Sequence, residues 1–110
     1  MQFNEYQKLT QETAIYPGKG TAMGLAYTGL GLGETGEVQG KIKKILRDDG
    51  GELSDEKRVA ISKELGDVLW YVAATATELG IPLGEIAQGN IDKLFGRKER
   101  GTLQGSGDDR

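Results

Sequence analysis

Two pairs of acidic residues stand at the same spacing in this chain. Glu34 and Glu37 form the first pair, and Glu64 and Asp67 form the second. A three-residue step on a helix places both members of a pair on one face. If the two helices pack antiparallel, four carboxylates converge, and they repel one another unless cations neutralise them. The spacing therefore predicts a site for divalent metal.

The composition restricts the kind of metal. The chain contains neither cysteine nor histidine, which excludes thiolate and imidazole sites as well as Ser-His catalysis. Oxygen ligands alone favour hard cations such as Mg²⁺ or Mn²⁺. Acidic pairs are also common on solvated helix faces. Glu64 and Asp67, however, directly precede the apolar residues Leu65 and Val68, so they border a buried stripe where an unpaired charge is costly.

Helical periodicity and capping signals predict the elements that hold these carboxylates. Asn4 is expected to cap the first helix, with Gln7 in the capping-box position. Glycines in the second helix leave room for another backbone or a ligand. There are four predicted helices: one from about Asn4 to Tyr16, one from about Ala22 to Arg47, one that Ser54 caps and Gly80 ends, and one that Pro82 opens.

These elements predict an all-α fold, a four-helix bundle with short loops and a flexible C-terminal tail. Residues 1–97 are expected to form one domain, and the charged, glycine-rich residues 98–110 a tail. The formal charge of −3 argues against a nucleic-acid partner. The N-terminus lacks signal-peptide features and no apolar run is long enough for a membrane, so a cytoplasmic protein is expected.

Two other metal or cofactor motifs are rejected. Residues 31–36 satisfy the dinucleotide pattern GxGxxG, but that pattern works only between a strand and a helix of a βαβ unit. No alternation of strands and helices is present here. A carboxylate-bridged di-iron bundle requires Glu-x-x-His pairs, which a chain without histidine cannot supply.

Three segments together resemble a known family. They are GETGEV at 33–38 with KIKK at 41–44, KELGDVLWY at 63–71, and NIDKL at 90–94 followed by Arg97. Their order, ExxE, then ExxD, then NxxK, resembles the MazG-like all-α nucleoside triphosphate pyrophosphohydrolases. The short single-domain form is similar to phage-borne and bacterial stand-alone members.

The resemblance implies hydrolysis of a nucleoside triphosphate to the monophosphate and pyrophosphate, in control of nucleotide pools. Mg²⁺, which Mn²⁺ can replace, would be held by Glu34, Glu37, Glu64 and Asp67. Glu34 or Glu37 would activate the water, with Lys41 as a further catalytic residue. A homodimer or homotetramer is implied, with sites near the subunit boundary. The substrate contacts would come from Lys44, Tyr71, Asn90, Lys93 and Arg97.

Other features leave alternatives open. The side-chain amides of Asn4, Gln7 and Gln11 could accept hydrogen bonds from guanine, which favours dGTP or GTP. The same amides turned around could instead serve a cytosine or uracil pocket. Trp70 is expected in the core. The cationic tail either closes over bound substrate or only solubilises the chain. The alternative to an enzyme is a non-catalytic helical interaction protein related to the same family.

Overall fold

The computed structural model describes residues 1–110, and all of its regular secondary structure is helical. A 3₁₀ turn at Gln11–Thr13 extends the first helix, and another at Leu32–Glu34 joins the second helix to the third. Helices α2 and α3 therefore form one nearly continuous rod, called the α2–α3 rod below, and it counts as a single helix of the bundle. The predicted all-α, four-helix architecture is confirmed. The five α-helices are α1 (Phe3–Thr10), α2 (Ala22–Gly31), α3 (Thr35–Asp48), α4 (Asp55–Glu78) and α5 (Leu83–Arg100).

Helix α4 is the centre of the fold, because all four other helices pack against it. Its ends are those that the sequence predicts. The Ser54 hydroxyl accepts a hydrogen bond of 3.2 Å from the backbone N–H of Lys57, which satisfies one of the free donors of the first turn. Gly80, at a φ of 70°, supplies the left-handed conformation that follows the last turn.

The α2–α3 rod runs antiparallel to α4. Contacts along the two elements follow opposite chain directions: Gly24 lies beside Glu78, Gly31 beside Tyr71, Lys41 beside Glu64 and Asp49 beside Lys57. This is the packing that convergence of the two acidic pairs requires.

The contact between Gly31 and Tyr71 requires glycine. A methyl group at Gly31 would overlap the Tyr71 ring, whereas one at Gly29, on the same helix, would meet nothing within 4 Å. We expect Gly31→Ala to destabilise the fold by about 1–3 kcal/mol through overpacking. Gly29→Ala should instead stabilise it by up to ~1 kcal/mol through helix propensity. Urea denaturation measures the free energy of unfolding of both variants. Equal changes in the two variants would contradict the close contact between Gly31 and Tyr71.

Helix α1 holds the start of α5. The side-chain oxygen of Asn4 accepts from the N–H of Gly84 at 2.8 Å, and that of Gln7 accepts from the N–H of Leu83 at 2.7 Å. The prediction that these two residues cap their own helix is wrong, since α1 begins after Gln2 without a side-chain cap. They cap α5 instead, whose first N–H groups have no partner within the helix.

The core of one chain is small. Only 11 of 110 residues are buried, and six of these form two hydrophobic clusters of three residues each, in which residues of α4 take part. The radius of gyration is 16.9 Å, against about 13 Å for a compact domain of about 100 residues. No helix combines the length and apolar character that a membrane crossing needs. Large apolar side chains remain exposed on every helix, and those on α3, α4 and α5 include Ile42, Leu46, Leu65, Leu69, Ile91, Leu94 and Phe95.

Helix α5 continues three residues beyond the predicted domain limit at Arg97. It ends at Gly101, whose φ of 71° terminates the helix. Residues 101–110 then turn back, and Arg110 donates to the carbonyls of Thr102, Leu103 and Gly107.

Candidate active site

Three carboxylates meet between the α2–α3 rod and α4. One oxygen each from Glu34, Glu64 and Asp67 lie within 4.8 Å of one another. Glu34 ends the 3₁₀ turn between α2 and α3, and the other two lie one turn apart on α4. Glu34 and Glu64 are half-buried, and Asp67 is exposed. The antiparallel packing is what brings residues thirty positions apart to one point.

This cluster fits a hard divalent cation. Mg²⁺ binds oxygen at about 2.1 Å, so oxygens on one ion lie at most about 4.2 Å apart. The three carboxylates, whose oxygens lie within 4.8 Å, need only small side-chain rotations to reach that spacing. The Lys41 ammonium, 3.6 Å from a Glu64 oxygen, offsets part of the negative charge.

Glu37 lies outside this group of three. It is exposed in the first turn of α3, one turn after Glu34, and it is not among the clustered carboxylates. The structure therefore brings together three of the four predicted metal ligands.

A cavity of about 430 Å³ adjoins the carboxylates. Burial raises the pKa of Tyr71, and the neighbouring Tyr27, Glu34 and Asp67 raise it further. The phenol is therefore neutral at physiological pH, and its hydroxyl can both donate and accept a hydrogen bond. The residues that line the cavity are Thr13, Glu34, Asp67, Trp70 and Tyr71.

Trp70 combines two environments. Its ring packs against the small core cluster, as the sequence predicts, and its Nε1–H donates to the Thr13 hydroxyl at 2.9 Å. The same side chain also lines the cavity and meets Tyr71 edge-on, with ring centroids 5.1 Å apart. The sequence did not predict that Trp70 lines the cavity, because consecutive helical residues point in different directions and Tyr71 was expected to face the site. The indole ring is large enough to contact both the core cluster and the cavity.

The third sequence element, NIDKL with Arg97, lies on α5 and away from the cavity beside the carboxylates. Asn90 is exposed, and neither it nor Lys93 nor Arg97 lines the cavity beside the carboxylates. Instead, the C-terminal tail, residues 101–110, contacts the side chains of Lys93 and Arg97. Lys93 lies 3.5 Å from the Asp108 carboxylate, and Arg97, only 5% exposed, donates to the carbonyl oxygens of Asp108 at 2.9 Å and Gly107 at 3.3 Å.

The amides proposed for base recognition do not reach this cavity. Asn4, Gln7 and Gln11 surround a different space of about 460 Å³, between α1 and the turn from α4 to α5. The oxygens of Asn4 and Gln7 already accept backbone N–H groups of α5. The Nε2 atom of Gln11 is buried without a hydrogen-bond partner.

Comparison with known proteins identifies the family to which the chain belongs. The model of the MazG nucleotide pyrophosphohydrolase domain matches residues 25–102, which include every clustered carboxylate and all of α5. A relative from Mycobacterium phage L5, named "Gene 37 protein", is 48% identical, and the alignment covers the full length of both chains. No solved structure matches the chain. The family match supports nucleotide pyrophosphohydrolase activity in general, and the chain belongs to the MazG nucleotide pyrophosphohydrolase family.

Proposed function

We propose that this protein hydrolyses a nucleoside 5′-triphosphate to the monophosphate and pyrophosphate, using Mg²⁺ or Mn²⁺ at Glu34, Glu37, Glu64 and Asp67. The convergence of three of these carboxylates beside an aromatic-lined cavity carries the proposal. The cavity has room for a nucleoside, and the oxygen-only cluster suits a cation that binds phosphate.

The chemistry requires water to attack the α-phosphorus. A divalent cation at the cluster would neutralise phosphate charge and make the water more acidic. A new bond forms from the water oxygen to the α-phosphorus. The bond from that phosphorus to the oxygen bridging the β-phosphate breaks, and pyrophosphate leaves with the electron pair. Glu34, which faces the cavity, takes the proton that the water loses.

Neighbouring residues have supporting roles. Lys41 lies beside Glu64 and neutralises charge on the phosphates as it develops. The neutral hydroxyl of Tyr71 makes a polar contact to the nucleotide. Glu37, one turn after Glu34 on the same rod, is the fourth proposed ligand.

A second copy of the chain would complete the site. Within one chain α5 packs against α1 and α4, and its phosphate-binding candidates Asn90, Lys93 and Arg97 contact no clustered carboxylate. The apolar side chains left exposed on α3, α4 and α5 provide a surface for a homodimer or homotetramer. Three glycines with open space around them allow close approach on the α2–α3 rod: Gly33, Gly36 and Gly40.

We propose a guanine nucleotide, dGTP or GTP, as the preferred substrate. The support is the cavity beside the carboxylates, whose lining includes the nearly perpendicular rings of Trp70 and Tyr71, so that a bicyclic base can stack on one of them. Asn4 and Gln7 no longer support guanine recognition, because their side-chain oxygens already hold α5.

The test is product analysis with a panel of triphosphates. We expect equal amounts of monophosphate and pyrophosphate with Mg²⁺ present, and no product in excess chelator. In a mixture of dGTP and dCTP at equal concentration, dGTP should disappear first. Release of inorganic phosphate alone would contradict the reaction, whereas faster loss of dCTP would contradict only the base preference.

A further inference from the structure

A third cavity lies in the groove between α3 and α4, on the far side of the carboxylates from Trp70 and Tyr71. Its volume is about 220 Å³, and three lysines line it: Lys41, Lys44 and Lys57. Glu56 is the only acidic residue in its lining. Lys57 lies in the first turn of α4 and belongs to none of the three sequence elements that identify the family.

The cavities and the carboxylates follow one line along α4. Lys57, Glu64 and Tyr71 are each seven residues apart, which is close to two helical turns, so they share one face. The antiparallel α3 repeats the order, since Lys44 is near the level of Lys57 and Lys41 contacts Glu64. Lysines therefore lie at one end of the groove, carboxylates in the middle and aromatic rings at the other end, with roughly 10 Å of helix for each interval.

We propose that the triphosphate lies along this groove, with its base in the cavity that Trp70 and Tyr71 line and its β- and γ-phosphates at Lys44 and Lys57. Lys57 is then a binding residue for the leaving pyrophosphate. This inference rests on the proposed hydrolysis and adds the direction in which the substrate binds.

The charges of the two cavities determine that direction. The aromatic cavity has two carboxylates and no cation among its lining residues, whereas the lysine cavity has three cations and one carboxylate. Pyrophosphate carries most of the substrate's negative charge and gains more when the bond to the α-phosphorus breaks. The reverse orientation would place the base among ammonium groups and leave Lys44 and Lys57 without a phosphate.

The two outer lysines are available to a phosphate. Lys44 takes part in none of the ion pairs of the structure. Lys57 pairs with Asp49, but its side chain is 40% exposed. An exposed ion pair is weak, so a pyrophosphate oxygen can replace the Asp49 carboxylate. The flexible lysine stems let both ammonium groups follow the phosphate.

The test compares the two products as inhibitors. We expect Lys57→Gln and Lys44→Gln each to raise the inhibition constant of inorganic pyrophosphate by about tenfold, since each removes a charged hydrogen bond. The inhibition constant of the nucleoside monophosphate should stay within about twofold, because the monophosphate does not reach the lysine cavity. Lys43→Gln is the control, since Lys43 lies beside Lys44 in sequence but does not line the cavity.

Asp49→Asn separates binding from structural support. It removes the partner of Lys57 and keeps the lysine, so pyrophosphate inhibition should remain as strong as in the unmodified protein. Thermal melting checks that every variant is folded. If Lys57→Gln and Asp49→Asn weaken pyrophosphate inhibition equally, or if Lys57→Gln weakens both products equally, the inference is overturned.

Direct binding keeps this inference distinct from the proposed function. Calorimetric titration of inorganic pyrophosphate with Mn²⁺ needs no turnover, and Lys57→Gln should weaken that binding by about the same tenfold factor. Pyrophosphate binding that depends on Lys57 in a protein that hydrolyses no triphosphate would overturn the proposed function alone. Turnover with pyrophosphate binding that does not depend on Lys57 would overturn this inference alone.

Discussion

Replacing Asp67 by asparagine should lower kcat by about a thousandfold or more, because several kcal/mol of metal-dependent stabilisation are lost with the charge. Asparagine has nearly the same shape as aspartate, so the packing of α4 is preserved. Glu64→Gln should have the same effect, since both carboxylates belong to the three that meet within 4.8 Å. Steady-state release of pyrophosphate is the measurement.

Asp55→Asn is the matched control on the same helix. Asp55 is exposed in the first turn of α4 and belongs to no cluster, so turnover should be unchanged. Mg²⁺ should raise the melting temperature of the unmodified protein and of Asp55→Asn, but not that of Asp67→Asn. Normal turnover in Asp67→Asn would refute the metal site.

Glu37→Gln tests the fourth proposed ligand separately. If Glu37 joins the metal during the reaction, this variant should lose turnover as severely as Asp67→Asn. Unchanged kinetics would limit the site to the three carboxylates that already lie together.

The second large effect concerns assembly. Phe95→Asp places a charge on α5 among exposed apolar residues, where Phe95 itself is 57% exposed and Ile91 46%. If a second chain covers this surface, burying the unpaired charge costs several kcal/mol and the oligomer should dissociate. Turnover should fall with it, because the α5 cations of one chain would no longer reach the carboxylates of another. Light scattering and the pyrophosphate assay measure the two effects.

Ile15→Asp is the control for added charge. Ile15 is 93% exposed and stands alone in the loop between α1 and α2. A second experiment mixes subunits: Asp67→Asn and Arg97→Gln, each with little activity alone, should regain activity when coexpressed, because a mixed dimer holds one intact site. A single monomeric species in light scattering of the unmodified protein, or no recovery on mixing, would count against a shared site.

Local signals predicted the helices well because each is decided within a few residues. Ser54 caps α4 as expected, since its side chain lies next to the N–H groups that it satisfies. Asn4 shows where such reasoning fails. Its spacing to Gln7 fits a capping box, yet both amides contact α5, about eighty residues later in the chain. A local sequence pattern cannot show that the N–H groups of a helix far along the chain will take the place of the N–H groups nearby as hydrogen-bond donors.

The candidate site was predictable to the extent that it depends on helical spacing. Glu64 and Asp67 share a face by their spacing alone, and antiparallel packing with Glu34 follows from short connections. The position of Lys57 was not predictable, because it depends on how far α3 extends beside α4. Arg97 was expected near the tail, but its environment was not, because burial by residues 101–110 depends on the turn that Gly101 introduces.

The contact between the tail and Arg97 has a consequence for selectivity among anions. Asp108 is eleven residues from Arg97 in the chain, and its carboxylate competes with dissolved anions for the Arg97 guanidinium. The length of the connecting segment sets the local concentration of that carboxylate, which is on the order of millimolar for a short flexible linker. Its carboxylate is 86% exposed, so dissolved salt weakens this competition. A singly charged anion would gain little over the tethered carboxylate, whereas a polyphosphate that contacted Lys93 and Arg97 together would displace it. If Lys93 and Arg97 bind phosphate as proposed, the tail would therefore favour multiply charged ligands over small, singly charged anions.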